Sequence, residues 1–299
     1  MGSPIEFWEN LAPYLSYIED NFLDLEAIRK LQEHIVDPVL IVGAGQGLLV
    51  EELKKIGYTV DGIDNNPRMI EFAENRRGIK LIQADAINLS FDDNVYKTTL
   101  IATGVVDYMD DEQLIEKMLK ESVRVTTSEG NVLVAFYKVH PASESIQRRI
   151  GIITNDNTFR HKYAFSLLQL QPKDMLRTIR KEADIGLLPL LFGLIKMQLL
   201  SPKKEKESSK KIAEMVNNID DPAAFIESCP DSIPYRTSTA IHALLRKLVL
   251  RPRYIVGYSF LSFIRASAVV NCQSMPILYL FLKLSQAAIA IVNCSMLSK

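Results

Sequence analysis

The chain predicts an α/β fold, a doubly wound, mostly parallel sheet with an additional helical cap. From about residue 38 to residue 137, short apolar runs alternate with helix-patterned segments, which is the order of a parallel sheet covered on both faces. After Tyr137 the alternation stops. More than 100 residues then read mostly as helix, broken by Pro172, Pro189, Pro202, Pro222, Pro230 and Pro234. A chain of 299 residues that is 47% hydrophobic and 24% charged can bury a sizeable core, and this composition excludes disorder, collagen and a disulfide scaffold.

The elements follow in order. Phe7, Trp8, Leu11, Tyr14, Leu15 and Ile18 recur at helical spacing and predict a helical preface over residues 5–31. Residues 38–42 form a continuous apolar run, the mark of a strand buried on both faces, with a helix over 48–56 behind it. Strands are expected at 58–63, 79–83, 98–103 and 131–137, with helices at 67–75 and 111–123. The helical stretch contains an apolar run at 187–200, read as core or lid and at most interfacial, and a polar run at 201–211, read as a solvated face. Residues 238–248 read as a helix, and 254–263 and 266–272 as strands returning to the sheet. In residues 276–297, Lys283, Gln286, Ala290 and Asn293 lie 3, 4 and 3 apart, a narrow polar stripe that predicts a mostly buried C-terminal helix. Its length would span a bilayer, but Lys283 near the middle would be expensive in lipid. Five segments result: 1–34, an N-terminal helical segment; 35–137, the α/β core; 138–250, the helical cap and substrate region; 251–275, the returning strands; 276–299, the apolar C-terminal helix.

The formal net charge is −1, too balanced for a protein that binds nucleic acid through its phosphates. Its distribution is uneven: 12 basic and 24 acidic side chains in residues 1–137, 18 and 12 in 138–250, and 5 and none in 251–299. Docking of one oppositely charged unit on the other explains this most simply. Cys229, Cys272 and Cys294 are isolated thiols, which fits a reducing, cytoplasmic setting, and residues 1–6 carry no pattern of an export or lipid signal. No metal-ligand spacing is present.

The chemistry is concentrated in Gly43-Ala44-Gly45-Gln46-Gly47, where a buried strand runs into glycines that open a helix. Without Cβ the backbone turns tightly and lets a ligand approach its N–H groups. Seventeen residues beyond Gly47, Asp64 closes the second strand, where an acid can accept from both ribose hydroxyls of an adenosine group. Asp85, after the third strand, is placed to meet an adenine amine. A dinucleotide fingerprint would read G-x-G-x-x-G, but position 48 is Leu and the third glycine is Gly47, so nicotinamide is disfavoured.

Gly43-x-Gly45-x-Gly47, Asp64 within Gly62-Ile63-Asp64-Asn65-Asn66-Pro67-Arg68-Met69-Ile70, and Asp85 together closely resemble the class I S-adenosylmethionine-dependent methyltransferases, over about residues 35–137. The resemblance implies S-adenosyl-L-methionine as cofactor. It assigns Gly43, Ala44, Gly45 and Gly47 to the methionine part, Asp64 with Asn65 and Met69 to the ribose segment, and Asp85 and Ala86 to the adenine. Thr103 and Gly104 would flank the methyl sulfonium. The plain alternatives are a helix N-cap for Asp64 and Asp107 and a loop cap for Asp85. The family's base-methylating members carry Asn/Asp-Pro-Pro-aromatic where this chain has Gly104-Val105-Val106-Asp107. Neither the paired glutamates of arginine methyltransferases nor clustered thiols are present. A small-molecule acceptor remains, with no nucleic-acid partner.

Methyl transfer needs alignment, exclusion of water and, for a hydroxyl or carbon acid, a base. His140 directly after the fifth strand, and His161 and Tyr235 in the cap, are the candidates, against surface or packing roles for each. The leucine-rich cap suggests an apolar or amphipathic acceptor, although core packing explains the same residues. The competing function is a non-catalytic protein that binds S-adenosylmethionine or S-adenosylhomocysteine and uses its cap for a partner or membrane. Three roles stay open for the C-terminal helix: core, the seam of a homodimer, or a membrane contact.

Overall fold

The computed structural model describes residues 4–17, 32–136, 141–200, 215, 218–236, 240, 244, 252–257 and 288–293. These fall into two compact units. A helical unit is drawn from residues 1–22 and 138–235, and a sheet unit from residues 23–137, 236–258 and 287–299. The first element, α1 (Pro4–Leu11), is one piece of the expected preface; Pro13 has no N–H to continue the ladder, and the chain tightens into a 3-10 turn over Ala12–Tyr17. Residues 18–31 of the expected helix lie outside the described residues.

The sheet unit follows the predicted alternation: β1 (Val39–Val42), α2 (Leu48–Lys55), β2 (Val60–Asp64), α3 (Pro67–Arg77), β3 (Ile82–Gln83), β4 (Tyr96–Ile101), a one-turn α4 (Val105–Tyr108), α5 (Glu112–Val125) and β5 (Thr126–Phe136). Val39, Leu40, Ile41 and Val42 are all fully buried, as a central parallel strand requires. Strands β1 to β5 are parallel in the order β3-β2-β1-β4-β5, so the connection direction reverses between β1 and β4. That reversal opens a crevice at the carboxyl edge, where ligands of doubly wound sheets bind. Two clamps fix the frame. The Thr98 hydroxyl donates to Val36 O at 2.9 Å and accepts from Val36 N at 2.8 Å, pinning the approach to β1. Arg124 donates to the carbonyls of Leu89 and Phe91 and to Glu121, fastening the loop before β4 onto α5.

In the helical unit, α6 (Pro141–Arg149) is followed by β6 (Thr158–Phe159), α7 (His161–Gln169), α8 (Pro172–Ala183), α9 (Leu187–Leu200), α10 (Pro222–Ser228) and β7 (Ile233–Pro234). Strands β6 and β7 pair antiparallel over two residues, too short for a period-2 pattern to announce them. Phe7 of α1 is buried edge-on against His161 and Phe165 of α7 and tilted against Phe225 of α10, so the preface packs within this unit.

The chain returns to the sheet with β8 (Pro252–Gly257) and β9 (Ala288–Asn293). β8 overlaps the expected strand at 254–263, while 266–272 lies outside the described residues. β9 corrects the C-terminal helix: residues 288–293 are a strand, antiparallel to both β5 and β8. The stripe of polar residues was counted at helical spacing, but Ala-Ile-Ala-Ile-Val is β-rich in Ile and Val, and the slot beside β5 supplies the hydrogen bonds. Among the described residues no helix is long and apolar enough to cross a membrane.

Candidate functional site

Register, rather than proximity in sequence, assembles the site. Val42 pairs with Ile63 on one side and Ile101 on the other, and Asp64 pairs with Gln83, so four chain segments leave the sheet side by side at one edge. Three bonds tie the exits together: Ala44 N to Ile63 O at 2.8 Å, Ala84 N to Asp64 O at 3.1 Å and Ala102 N to Val42 O at 2.9 Å. The structure thus brings together the sequence-predicted Gly43, Ala44, Gly45, Gly47, Asp64, Asn65, Asp85, Ala86, Thr103 and Gly104. Met69 is buried in the first turn of α3.

Gly43, Gly45 and Gly47 all lie at positive φ, and at two of them a side chain would also collide. Gly43 has φ +72°, and a Cβ there would stand 2.2 Å from Cγ2 of Val105. Gly47 caps α2 at φ +78°, where a Cβ would press on Ala73 and Ile79 at 3.1–3.2 Å. Over Gly45, by contrast, a Cβ would meet nothing within 4 Å, so the loop is open at its apex.

Asp64 organises this loop. Its Oδ2 accepts from Gly45 N at 2.8 Å and its Oδ1 from Asn66 N at 2.9 Å. Burial pushes its carboxyl above the usual aspartate range, against the downward pull of the backbone N–H groups of Asn66, Gly45 and Asn65. Asn66, which sequence reading passed over, is buried and caps α3, its Oδ1 accepting from Arg68 N and Met69 N. The Asn66-Pro67 pair, a cap before a proline at the first helical position, was the available signal. Its Nδ2 is buried without a hydrogen bond among the described residues, the kind of orphaned donor that a bound polar ligand satisfies. Asp85 is exposed and its Oδ1 accepts from Ile87 N at 3.1 Å, so the loop-cap geometry is present. A carboxylate offers about four lone-pair sites, and the bonds Asp64 and Asp85 make leave each able to accept more.

On the fourth exit, Asp107 is buried at the third position of α4 and accepts from the N–H of Gly104 at 3.0 Å, so Gly104 rather than Asp107 is the N-cap. Arg236, 130 residues away in sequence, donates to Val106 O at 2.8 Å and Met109 O at 2.6 Å. Burial lowers the Arg236 pKa, while Asp107, Glu112 and Asp110 raise it; it stays charged. No local sequence signal could have announced this clamp.

Two of the three candidate bases belong to the helical unit. His140 lies outside the described residues. His161 is 2% exposed in the aromatic cluster of the helical unit, its ring 4.6 Å from Phe7 and 4.9 Å from Phe165, and burial pushes its pKa down to about 3. That environment matches the packing role weighed against catalysis. Tyr235 lies beneath the Arg148 guanidinium at 5.4 Å, and burial followed by the Glu144 charge raises its pKa, so it is held as the neutral phenol. Among the described residues no group of three or more His, Cys, Asp or Glu is placed to hold a metal ion.

Comparison with known proteins meets this geometry. Residues 39–130 match a family described as a methyltransferase domain. The chain is 31% identical over 121 residues to a demethylmenaquinone methyltransferase of Corynebacterium urealyticum, covering 40% of this chain and 50% of that protein. It is 28% identical over 143 residues to one of Paenarthrobacter aurescens, covering 45% and 54%. The chain thus spans about half the length of the curated relatives it matches. A solved S-adenosylmethionine-dependent methyltransferase from Methanosarcina mazei shares the fold with TM-score 0.52 at 14% identity, over 91% of this chain and 98% of that one.

Proposed function

We propose that the chain, whose residues 39–130 match a family described as a methyltransferase domain, is a class I S-adenosylmethionine-dependent methyltransferase that transfers a methyl group from S-adenosyl-L-methionine to a small, apolar or amphipathic organic acceptor. The observation that supports this best is the pairing of Asp64 with the N–H of Gly45. One acidic side chain sets the open glycine loop and keeps acceptor capacity for ribose hydroxyls, beside an orphaned Asn66 donor.

In this reading Gly43, Ala44, Gly45 and Gly47 wrap the methionine part, Asp64 with Asn65 and Met69 forms the ribose segment, and Asp85 and Ala86 border the adenine. Thr103 and Gly104, held by Asp107 and Arg236 through α4, flank the reacting centre. The cofactor supplies a methyl group activated on a sulfonium. The chain's own work is to align the acceptor in line with that group, exclude water and receive the acceptor's proton. We assign the proton to His140, which follows β5. The names of the two curated relatives favour an acceptor of the quinone-precursor class, in keeping with the apolar cap.

Calorimetric titration with S-adenosylmethionine and S-adenosylhomocysteine tests the reading. Wild type binds both, and Asp64→Ala loses about ten- to hundred-fold in affinity, the loss expected for one or two hydrogen bonds to a charged group. Well-folded wild type that takes up neither compound refutes it. His140→Gln then retains cofactor affinity and loses turnover with an acceptor found by screening apolar molecules.

A further inference from the structure

We propose that the start of α9, together with the basic face of α8, docks the protein in the plane of an anionic lipid surface. This reading rests on the surface alone and is independent of the proposed chemistry.

In α8, Met175 and Ile179 are fully buried, while Lys173, Arg177, Arg180 and Lys181 are exposed. Those four basic residues recur at i, i+4, i+7 and i+8, which places them on one stripe of the helix. The acids of the segment are answered within the unit: Asp174 by Arg177 at 3.2 Å and Glu182 by Arg160 at 3.8 Å. Asp184, in the link to α9, is the remaining acid there. Among the described residues no ion pair engages Lys173, Arg180 or Lys181.

Three link residues later α9 begins, with Leu187, Leu188 and Phe192 at 41%, 79% and 71% exposure. Its other side is anchored. Leu190 is fully buried, and a Cβ on Gly193 would lie 2.6 Å from Cδ1 of Ile146 in α6. Packing that fixes one side of a helix and leaves a leucine and a phenylalanine largely in water calls for an apolar occupant.

Charge selects which occupant. A second copy of the chain would bring two basic stripes toward each other, and a neutral apolar groove would leave the cations without partners. Anionic headgroups answer Lys173, Arg180 and Lys181 while the headgroup–acyl boundary takes Leu188 and Phe192. A helix of 14 residues is about 21 Å long, short of the roughly 30 Å hydrocarbon core, so it suits lying in the interface.

The test is co-sedimentation of the purified full chain with vesicles of mixed phosphatidylglycerol and phosphatidylcholine, and of phosphatidylcholine alone. The chain is expected to bind the anionic vesicles, more weakly at high salt, and to bind the neutral ones at least ten-fold less. Leu188→Glu with Phe192→Glu, both at exposed positions, is expected to cut binding at least ten-fold. Arg180→Glu with Lys181→Glu is expected to cut it by about five-fold or more per charge. Absence of wild-type binding to anionic vesicles, or undiminished binding by the apolar variant, overturns the proposal. So does light scattering that shows a wild-type dimer made monomeric by the apolar variant, which would assign this face to a second copy.

Discussion

Gly43 is fixed twice over, by backbone and by packing. Its φ of +72° is a conformation that costs an L-residue about 1–2 kcal/mol, and its missing Cβ is the space into which Val105 packs. Gly43→Ala therefore destabilises the sheet unit by roughly 2–3 kcal/mol, adding that strain to overpacking of at least 1 kcal/mol. It also lowers cofactor affinity, because Val105 must move and carries Gly104 with it. Adding Val105→Ala relieves the overpacking and leaves the strain, so a double-mutant cycle read by urea unfolding returns a coupling energy of about 1 kcal/mol or more. Additive effects of the two substitutions would show that Gly43 is required in this geometry by φ alone. The glycine spacing made the tight turn legible in the sequence. The contact with Val105, 62 residues away, was not, because no local pattern encodes which side chain fills the space a missing Cβ leaves.

The helix α4 has only four residues and cannot sustain itself, since a first turn fixes several dihedrals for one hydrogen bond. It is held at its N-terminus by its own Asp107 on Gly104 N–H and from outside by Arg236 on the carbonyls of Val106 and Met109. Arg236→Ala removes two hydrogen bonds from a charged donor and leaves both carbonyls less satisfied, a loss of about 1.5–3 kcal/mol. Hydrogen exchange is expected to show faster opening of residues 104–110, with β1 and β2 unchanged. Arg236→Lys, with a point charge in place of a fork, restores part of the protection but cannot reach both oxygens at once. The same shortness explains why α4 went unseen: four residues give no 3.6 period to count, and its outer clamp, Arg236, lies 130 residues away in sequence. Other elements were legible, β1 through its continuous apolar run and the longer α5 through its apolar stripe. The C-terminal segment was misread because small, apolar and β-branched residues satisfy a helical and a strand pattern alike, and only the partner strand β5 decides between them.

The sheet unit was legible down to the order of its elements and the helical unit only as a run of helices, without the contacts that close it, for a reason of range. Parallel βαβ units are built from neighbours in sequence, whereas the helical unit closes by joining α1 to residues more than 150 positions later, with Phe7 against His161 and Phe225. This long-range core has a consequence for acid stability. Burial holds His161 neutral, with a pKa down to about 3 against an ordinary value of 6.5. The unfolded chain therefore takes up the proton first, and stability falls as pH drops below about 6.5 toward 3, by about 1.4 kcal/mol per pH unit. Asp64 works in the opposite sense. Its folded pKa is raised by burial, so the folded chain takes up that proton first, and the contribution of Asp64 is present at low pH and lost as pH rises through the raised value. The two effects separate by variant. His161→Phe keeps an aromatic ring against Phe7 and Phe165, and relative to wild type it should gain about 2 kcal/mol on going from pH 7 to pH 5 in urea unfolding. In an Asp64→Ala background the effect of His161→Phe over pH 7 to pH 5 should stay in place, while cofactor affinity falls about ten- to hundred-fold. If His161→Phe and wild type lose stability in parallel, the histidine titrates in the folded chain as it does in water, and the aromatic core joining α1, α7 and α10 is open to solvent.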